Sequence, residues 1–397
     1  MTPNALATFL FSIYEQFRVN YLRPGNCLHK EITAELRELA ARSNGMIKES
    51  EIGASSEKRS IHMATFGHGE KKILLWSQMH GDESTATLAI VDMLNYLVET
   101  EAHEPWCTEL LEQATVYIIP MVNPDGAERF QRQTALGVDM NRDARLLMTP
   151  EGILLRGMQR RLGPGFGFNL HDQGVASVGT TRKVTALALL APALDDKRTT
   201  PPVRLRAMRV GALIARTLSQ FIGGHIATYD DAFEPRAFGD GMQSWGTSTL
   251  LIESGHWPDD PEKMFVRKLN FIALLTAIRC IGNGSYQDTE MDWYRRLLPN
   301  GKMMYDIIIR KVELHDGTGL WSGMADIGLM EEPPRQNRRP GEISTFVVQE
   351  IGDLSLHGAL TEIEANGRRL RVGVLPLGKT LPLAFITDAL QIHFDYP

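Results

Sequence analysis

Apolar positions along the first 280 residues alternate between helical spacing and short unbroken runs. Residues 3 to about 21 and Lys30 to Arg42 carry apolar side chains at helical intervals, with Ile32, Leu36, Leu39 and Ala40 in the second stretch, and predict two packing helices. From Gly45 to Gly67, Ile61 and Met63 alternate with polar neighbours, as short strands and turns do. Ile73-Leu74-Leu75-Trp76 is an unbroken run that predicts a buried strand, followed by an amphipathic helix from Ser84 to Thr100. Further on, helices are predicted over Glu104–Gln113, Pro150–Arg161, Val203–Phe221 and Pro261–Ile281. Strands are predicted over Thr115–Val122, Gly165–Leu170, Val184–Leu190 and Ser248–Ile252. Strand, helix and strand in succession require a crossover, so the expected fold is α/β: a mixed, largely parallel sheet flanked by helices.

Near residue 284 the pattern changes. After SYQDTEMDWYRRLLPNGK the apolar stretches become short β-rich runs, Met304–Val312, Ile343–Val348, Leu370–Leu375 and Leu390–Phe394, separated by Gly, Pro and charged turns. They predict a small antiparallel sandwich or barrel over residues 300–397. It stands beside a larger domain over 1–283, of which 1–45 form a helical extension. Pro334 to Pro340 (PRQNRRP) reads as a solvated basic tip.

Composition narrows the function classes. A formal net charge of −6 over 397 residues supplies no basic field for nucleic acid. No run approaches 18 apolar residues, and the apolar N-terminal stretch Ala5–Tyr14 has no preceding Lys or Arg, so neither a membrane span nor a signal peptide is expected. Cys27, Cys107 and Cys280 are odd in number and far apart, which suits reduced thiols and a cytoplasmic setting.

Polar residues cluster where the predicted strands end. His80 and Glu83 lie on the turn between the Ile73–Trp76 strand and the next helix, close enough to converge on one ion. His171 follows a second apolar run and Glu253 a third. Between them, NPDGAERFQRQTALGVDMNRDAR (123–145) opens with a double turn signal and carries Arg132, Asn141 and Arg142 at the carboxyl side of a strand, where open α/β sheets place ligands.

Taken together, these pieces resemble the zinc carboxypeptidases of the metallopeptidase M14 family. The resemblance covers about residues 50 to 280 and rests on His-Gly-Asp-Glu at 80–83, Asn-Pro-Asp-Gly at 123–126, Gly-Val-Asp-Met-Asn-Arg at 137–142, His171 after an apolar strand, and Glu253 in LLIES. It implies one Zn2+ per chain held by His80, Glu83 and His171, with Glu253 as general base and acid. Arg132 would polarise the scissile carbonyl, and Asn141 and Arg142 would grip the terminal carboxylate of a peptide. Tyr229 is the Tyr of the loop region before the catalytic Glu. Two imidazoles and a carboxylate leave a catalytic zinc one open position for water, and Arg142 has the planar fork that matches a carboxylate.

Two departures stand out: Asp143 occupies a position where the family commonly has Asn, and Tyr229, the one Tyr in the loop region where a functional Tyr usually precedes the catalytic Glu, has no family position to align it to. The loop Asp230–Trp245 is expected to form the pocket for the terminal side chain, where Arg236 would favour an acidic residue and Asp240 a basic one. The zinc deacylases that resemble aspartoacylase and succinylglutamate desuccinylase share an H-x-x-E pair, an Asn-Arg pair, a third His and a β-rich C-terminal domain. Glu-Ser-Gly at 253–255 leans towards them, whereas Asn-Pro-Asp-Gly and Gly-Val-Asp lean towards the carboxypeptidases. A catalytically dead binding module would be expected to lack a ligand, Arg132 or Glu253, and none is missing. The expected partner is a peptide with a free C-terminal carboxylate, with no nucleic acid and no membrane.

Overall fold

Each long apolar repeat of the first 280 residues becomes a regular element in the computed structural model, which describes residues 1–100, 104–332 and 341–392. Helices α1 (Pro3–Phe17) and α2 (His29–Arg42) come first, α1 capped by Thr2, whose side chain accepts from the Ala5 amide at 3.2 Å. A hairpin of β1 (Ile47–Ala54) and β2 (Ser60–Phe66) leads to β3 (Lys71–Trp76). Helices α3 (Thr85–Thr100) and α4 (Pro105–Gln113) then cross to β4 (Ala114–Ile119). After them come the one-turn α5 (Pro124–Ala127), α6 (Pro150–Leu162), β5 (Phe166–Asp172), the two-residue β6 (Ser177–Val178) and β7 (Leu187–Leu190). Helix α7 (Pro202–Ile222), β8 (Ile226–Thr228), α8 (Phe238–Ser244), β9 (Ser248–Ser254) and α9 (Met264–Gly282) complete this part.

Eight of these strands form one sheet in the order β1-β2-β4-β3-β5-β9-β7-β8. The central β4, β3, β5 and β9 run parallel, while β2 and β7 flank them antiparallel. Helices cover both faces, which is why β3, β5 and β9 read as apolar runs without alternation. On one face Ile73 and Leu75 pack with α1, α3, α7 and α9. On the other, Leu74 and Trp76 meet Leu155, Met158 and Leu162 of α6 and Phe238 and Met242 of α8. Cys27, Cys107 and Cys280 are all buried and free. No helix among the described residues is long and apolar enough to cross a membrane.

Two buried cations fasten α9 to the rest. Arg267 donates to Asp92 of α3 (Nε to Oδ2, 2.6 Å) and to the carbonyls of Leu22 and Val19, while Asp92 also accepts from Tyr14 Oη at 2.8 Å and the Val19 amide at 2.9 Å. Both charges are out of water and both are fully partnered, the condition under which a buried pair is tolerated. Lys263, the N-cap residue of α9 with φ 54°, donates to the carbonyl of Gln173 (3.1 Å), just beyond β5, and to that of Ser254 (3.0 Å), the last residue of β9.

Beyond α9, the short α10 (Asp292–Arg295) leads to β10 (Asn300–Gly301), which pairs with β6. A separate sheet follows, built from β11 (Met304–His315), β12 (Ser322–Glu331), β13 (Thr345–Gly352), β14 (Gly358–Glu364), β15 (Arg369–Arg371) and β16 (Thr380–Pro382). Its core includes Ile307, Ile309, Ile327, Leu329, Phe346 and Val348. The expectation of purely antiparallel pairing gives way to a mixed sheet, because β14 and β15 both run parallel to β11. Leu390, expected to open a last strand, instead ends α11 (Leu383–Leu390). The rest of that run past Ile392, and the basic stretch 334–340, lie outside the described residues.

Candidate metal and catalytic site

The chains leaving β3 and β4 travel side by side. Ser77 N donates to Ile119 O (3.1 Å), Val122 N to Ser77 O (3.1 Å) and Asn123 N to Gln78 O (3.0 Å), so the two strand ends continue as a paired ribbon. Asn123 then caps α5 through Gly126 N (2.9 Å), and its amide donates to Met79 O and Gln133 O, each at 3.2 Å. Gly81 sits against this turn so closely that a Cβ there would lie 2.0 Å from the carbonyl carbon of Gly126. His-Gly-Asp-Glu and Asn-Pro-Asp-Gly are therefore two halves of one packed unit, and glycine is required where they meet.

That unit presents His80 and Glu83 to His171, which lies in β5. His80 Nδ1 is 2.8 Å from Glu83 Oε1, His171 Nδ1 is 2.7 Å from Glu83 Oε2, and the two Nδ1 atoms are 3.2 Å apart. All three side chains are buried, and their donor atoms lie within 4.8 Å of one another. Two imidazole nitrogens facing the same carboxylate at this separation form a donor set that fits a divalent cation such as zinc. Burial alone would raise Glu83, but the two imidazoles outweigh it and hold the carboxylate well below its usual range. Behind His80, Asp139 Oδ1 lies 3.1 Å from Nε2, which fixes the ring and leaves Nδ1 facing Glu83 and His171.

A cleft of about 760 Å³ opens over this triad, and all eight residues singled out in the sequence line it. Glu253 is the register partner of His171 on the neighbouring parallel strand β9. Its Oε2 is buried without a partner, and burial together with nearby Glu83 pushes its carboxyl up to about 8. Arg132 reaches Glu83 Oε1 (3.3 Å) and Asp139 Oδ2 (3.1 Å). Asn141 accepts from Phe238 N at 2.9 Å, which leaves its amide nitrogen free to donate. Arg142, its side chain 42% exposed, makes among the described residues a 3.6 Å ion pair with Glu234 and a bond to the Asn141 carbonyl, which leaves guanidinium donors to spare. Tyr229 directly follows β8, and the nearby Glu253 carboxylate, with burial, pushes its hydroxyl up to about 12.

Other residues at the site had weaker signals. Asp139 stands inside the Gly-Val-Asp-Met-Asn-Arg segment, yet nothing local shows that it backs His80. Asp172, Asp230, Glu234, Asp240 and Asn300 also line the cleft. Arg236 is not among the lining residues: it is bound by Glu234 (Nε to Oε1, 2.8 Å), so of the two charges weighed for side-chain selection only Asp240 faces the cleft. Asp143, despite its place beside Arg142, accepts from Met148 N, Thr149 N and Thr149 Oγ1, each at 2.8 Å, and braces the start of α6 instead.

Comparison with known proteins agrees with this geometry. Residues 32–152 match the zinc carboxypeptidase family, peptidase M14. Carboxypeptidase 2 of Trichophyton rubrum is 26% identical over 143 residues, covering 33% of this chain and 26% of its own length. Mouse carboxypeptidase A2 is 28% identical over 130 residues, covering 29% and 31%. The chain thus spans less than a third of the length of these relatives. Among solved structures, a metallo-carboxypeptidase from Burkholderia cenocepacia superposes with a TM-score of 0.52 at 18% identity, over 64% of this chain and 68% of the other. Thrombin-activatable fibrinolysis inhibitor gives 0.53 at 13%, over 71% and 81%. At such identities the likeness is one of fold. Over residues 32–152 the chain is thus similar to the M14 zinc carboxypeptidase family, and its larger sheet shares the fold of solved carboxypeptidases.

Proposed function

We propose that this protein is a zinc-dependent metallocarboxypeptidase that hydrolyses the C-terminal amide bond of peptides. The observation that carries the reading is the shared cleft, in which a buried His-Glu-His triad, the Glu253 carboxyl and the half-exposed Arg142 guanidinium face one space. His80, Glu83 and His171 would hold the metal, which when bound supplies a Lewis acid and an activated water. Glu253 takes a proton at Oε2 and returns it to the leaving amine, a role favoured by its place beside His171 on the neighbouring strand. Arg132 turns from Glu83 towards the scissile carbonyl and supports its developing charge. The Arg142 fork and the Asn141 amide receive the terminal carboxylate, and Glu234 releases Arg142 as they do. Tyr229 stands at the rim with a neutral hydroxyl to donate.

The test is hydrolysis of matched peptides by zinc-loaded protein. Free-acid peptides should be cleaved, the same peptides capped as C-terminal amides should be poor substrates, and Arg142→Ala should erase most of the difference. Equal wild-type rates on the two would remove the exopeptidase assignment, and a clear preference for simple N-acyl amino acids over peptides would replace it with a deacylase.

A further inference from the structure

The connector between the two sheets forms part of the cleft wall, and this architecture points to a substrate contact from outside the central sheet. Leu298 O accepts from Thr228 N at 2.8 Å, and Pro299 O accepts from Gly179 N at 2.7 Å. In β10, Asn300 pairs with Val178 and Gly301 with Ser177. The fit is tight, since a Cβ on Gly301 would lie 1.9 Å from Gly179 O. Pro299 and Asn300 consequently line the same cleft as His171 and Glu253.

Asn300 is held there by a single side-chain bond, Nδ2 to Gln173 Oε1 at 2.7 Å. Asn300 lines the cleft and Gln173 follows the lining residue Asp172; the remaining atoms of the pair, Asn300 Oδ1 and Gln173 Nε2, are both buried and have no partner among the described residues. Buried polar atoms are seldom left unpaired. One acceptor and one donor side by side match the N–H and C=O of a peptide main chain, and turning both amides over leaves one of each still free. The two ends of the cleft differ in their partners. Asn141 and Arg142 are seated against the start of α8 and the segment before it, through Phe238 N and Glu234, whereas Gln173 and Asn300 stand past β5 and in β10. A peptide gripped at its carboxylate by Asn141 and Arg142 and crossing the triad would meet Gln173 and Asn300 with the residues that precede the scissile bond.

We propose that Asn300, with Gln173, binds the peptide main chain upstream of the scissile bond, so that the C-terminal sheet's connector helps select peptides over shorter substrates. This rests on the carboxypeptidase reading. The experiment uses the full zinc-loaded chain, a free-acid dipeptide and a pentapeptide ending in the same two residues. Asn300→Ala and Gln173→Ala should each lower kcat/KM on the pentapeptide about three- to tenfold more than on the dipeptide, the effect of one neutral hydrogen bond. Gly301→Ala, which displaces the connector and leaves the Asn300 side chain intact, should act in the same direction. Binding of a fluorescently labelled pentapeptide, read by anisotropy alongside melting curves of each variant, should weaken by the same factor. Equal losses on both substrates, or unchanged pentapeptide binding in folded Asn300→Ala, would overturn the proposal. Wild-type protein that binds the pentapeptide without cleaving it, with binding weakened in Asn300→Ala, would overturn the carboxypeptidase reading and keep this contact.

Discussion

Gly81→Ala tests whether the metal site depends on the seam between the two loop motifs. The added Cβ would stand 2.0 Å from the Gly126 carbonyl carbon, and ordinary van der Waals contact begins at 3.4 Å, so one turn must retreat by about 1.4 Å. Because the obstacle is backbone, held by the Asn123 cap and by paired strand ends, no side-chain rotation relieves it. The displaced residue lies between His80 and Glu83, and zinc sites tolerate ligand shifts of only about 0.2 Å. The variant should lose about 10- to 100-fold in zinc affinity, as when the support behind a ligand is disturbed, and about 1–3 kcal/mol of stability from overpacking. Competition against a chelator of known affinity reads the first quantity, and denaturant unfolding of the metal-free protein reads the second. Gly174→Ala is the control, since a Cβ at that position meets nothing within 4 Å although it lies three residues from His171. If Gly81→Ala binds zinc within twofold of wild type, the turn adapts and the seam does not set the ligand geometry.

Other substitutions separate further roles. Glu253→Gln keeps the shape of the side chain and removes its basic oxygen, so zinc should stay bound while kcat falls by about 10²- to 10⁴-fold; a drop confined to KM would make Glu253 a binding group only. Asp306, buried in β11 where it accepts from Glu331 N at 2.7 Å, is pushed up to about 7 by burial and then by Glu331. Its folded value lies above the unfolded 3.8, so this carboxyl favours folding at low pH, and that contribution is lost as pH rises towards 7. Asp306→Asn should abolish this slope, which amounts to at most about 4 kcal/mol at 1.36 kcal/mol per pH unit. Unfolding free energies of the two proteins at pH 5 and pH 8 check it, and a gap that stays constant between those pH values would refute it.

Those parts of the fold and site that depend on near neighbours were legible in the sequence. An apolar run followed by a polar residue marked the ends of β3, β5 and β9, and hence His80, His171 and Glu253, because a strand buried on both faces leaves its chemistry at its tip. Asp139 escaped notice because its contact with His80 joins residues 59 positions apart. Asp143, noted only because the family commonly has Asn there, stands next to Arg142 in sequence, but the chain turns and aims the carboxylate at the start of α6. Strand identity in the second sheet was readable in part and strand direction was not, since the same β-rich run can pair either way. Asn300 carries no motif at all and reaches the site only because Gly301 lets two backbones meet.

The start of α9 is bonded to three of the segments that carry the candidate site. Within four residues it supplies Lys263, which ties the carbonyls beyond His171 and Glu253, and Arg267, which bolts α3 at Asp92, nine residues along from Glu83. The two strand-borne groups and the loop-borne ligand are thus indexed to one rigid splint on the face of the sheet away from α6 and α8. A substitution that loosens that turn would detune ligand spacing and proton transfer together, with no cleft residue changed. On the proposed reading, turnover would depend on the register of this helix as much as on the residues lining the cleft.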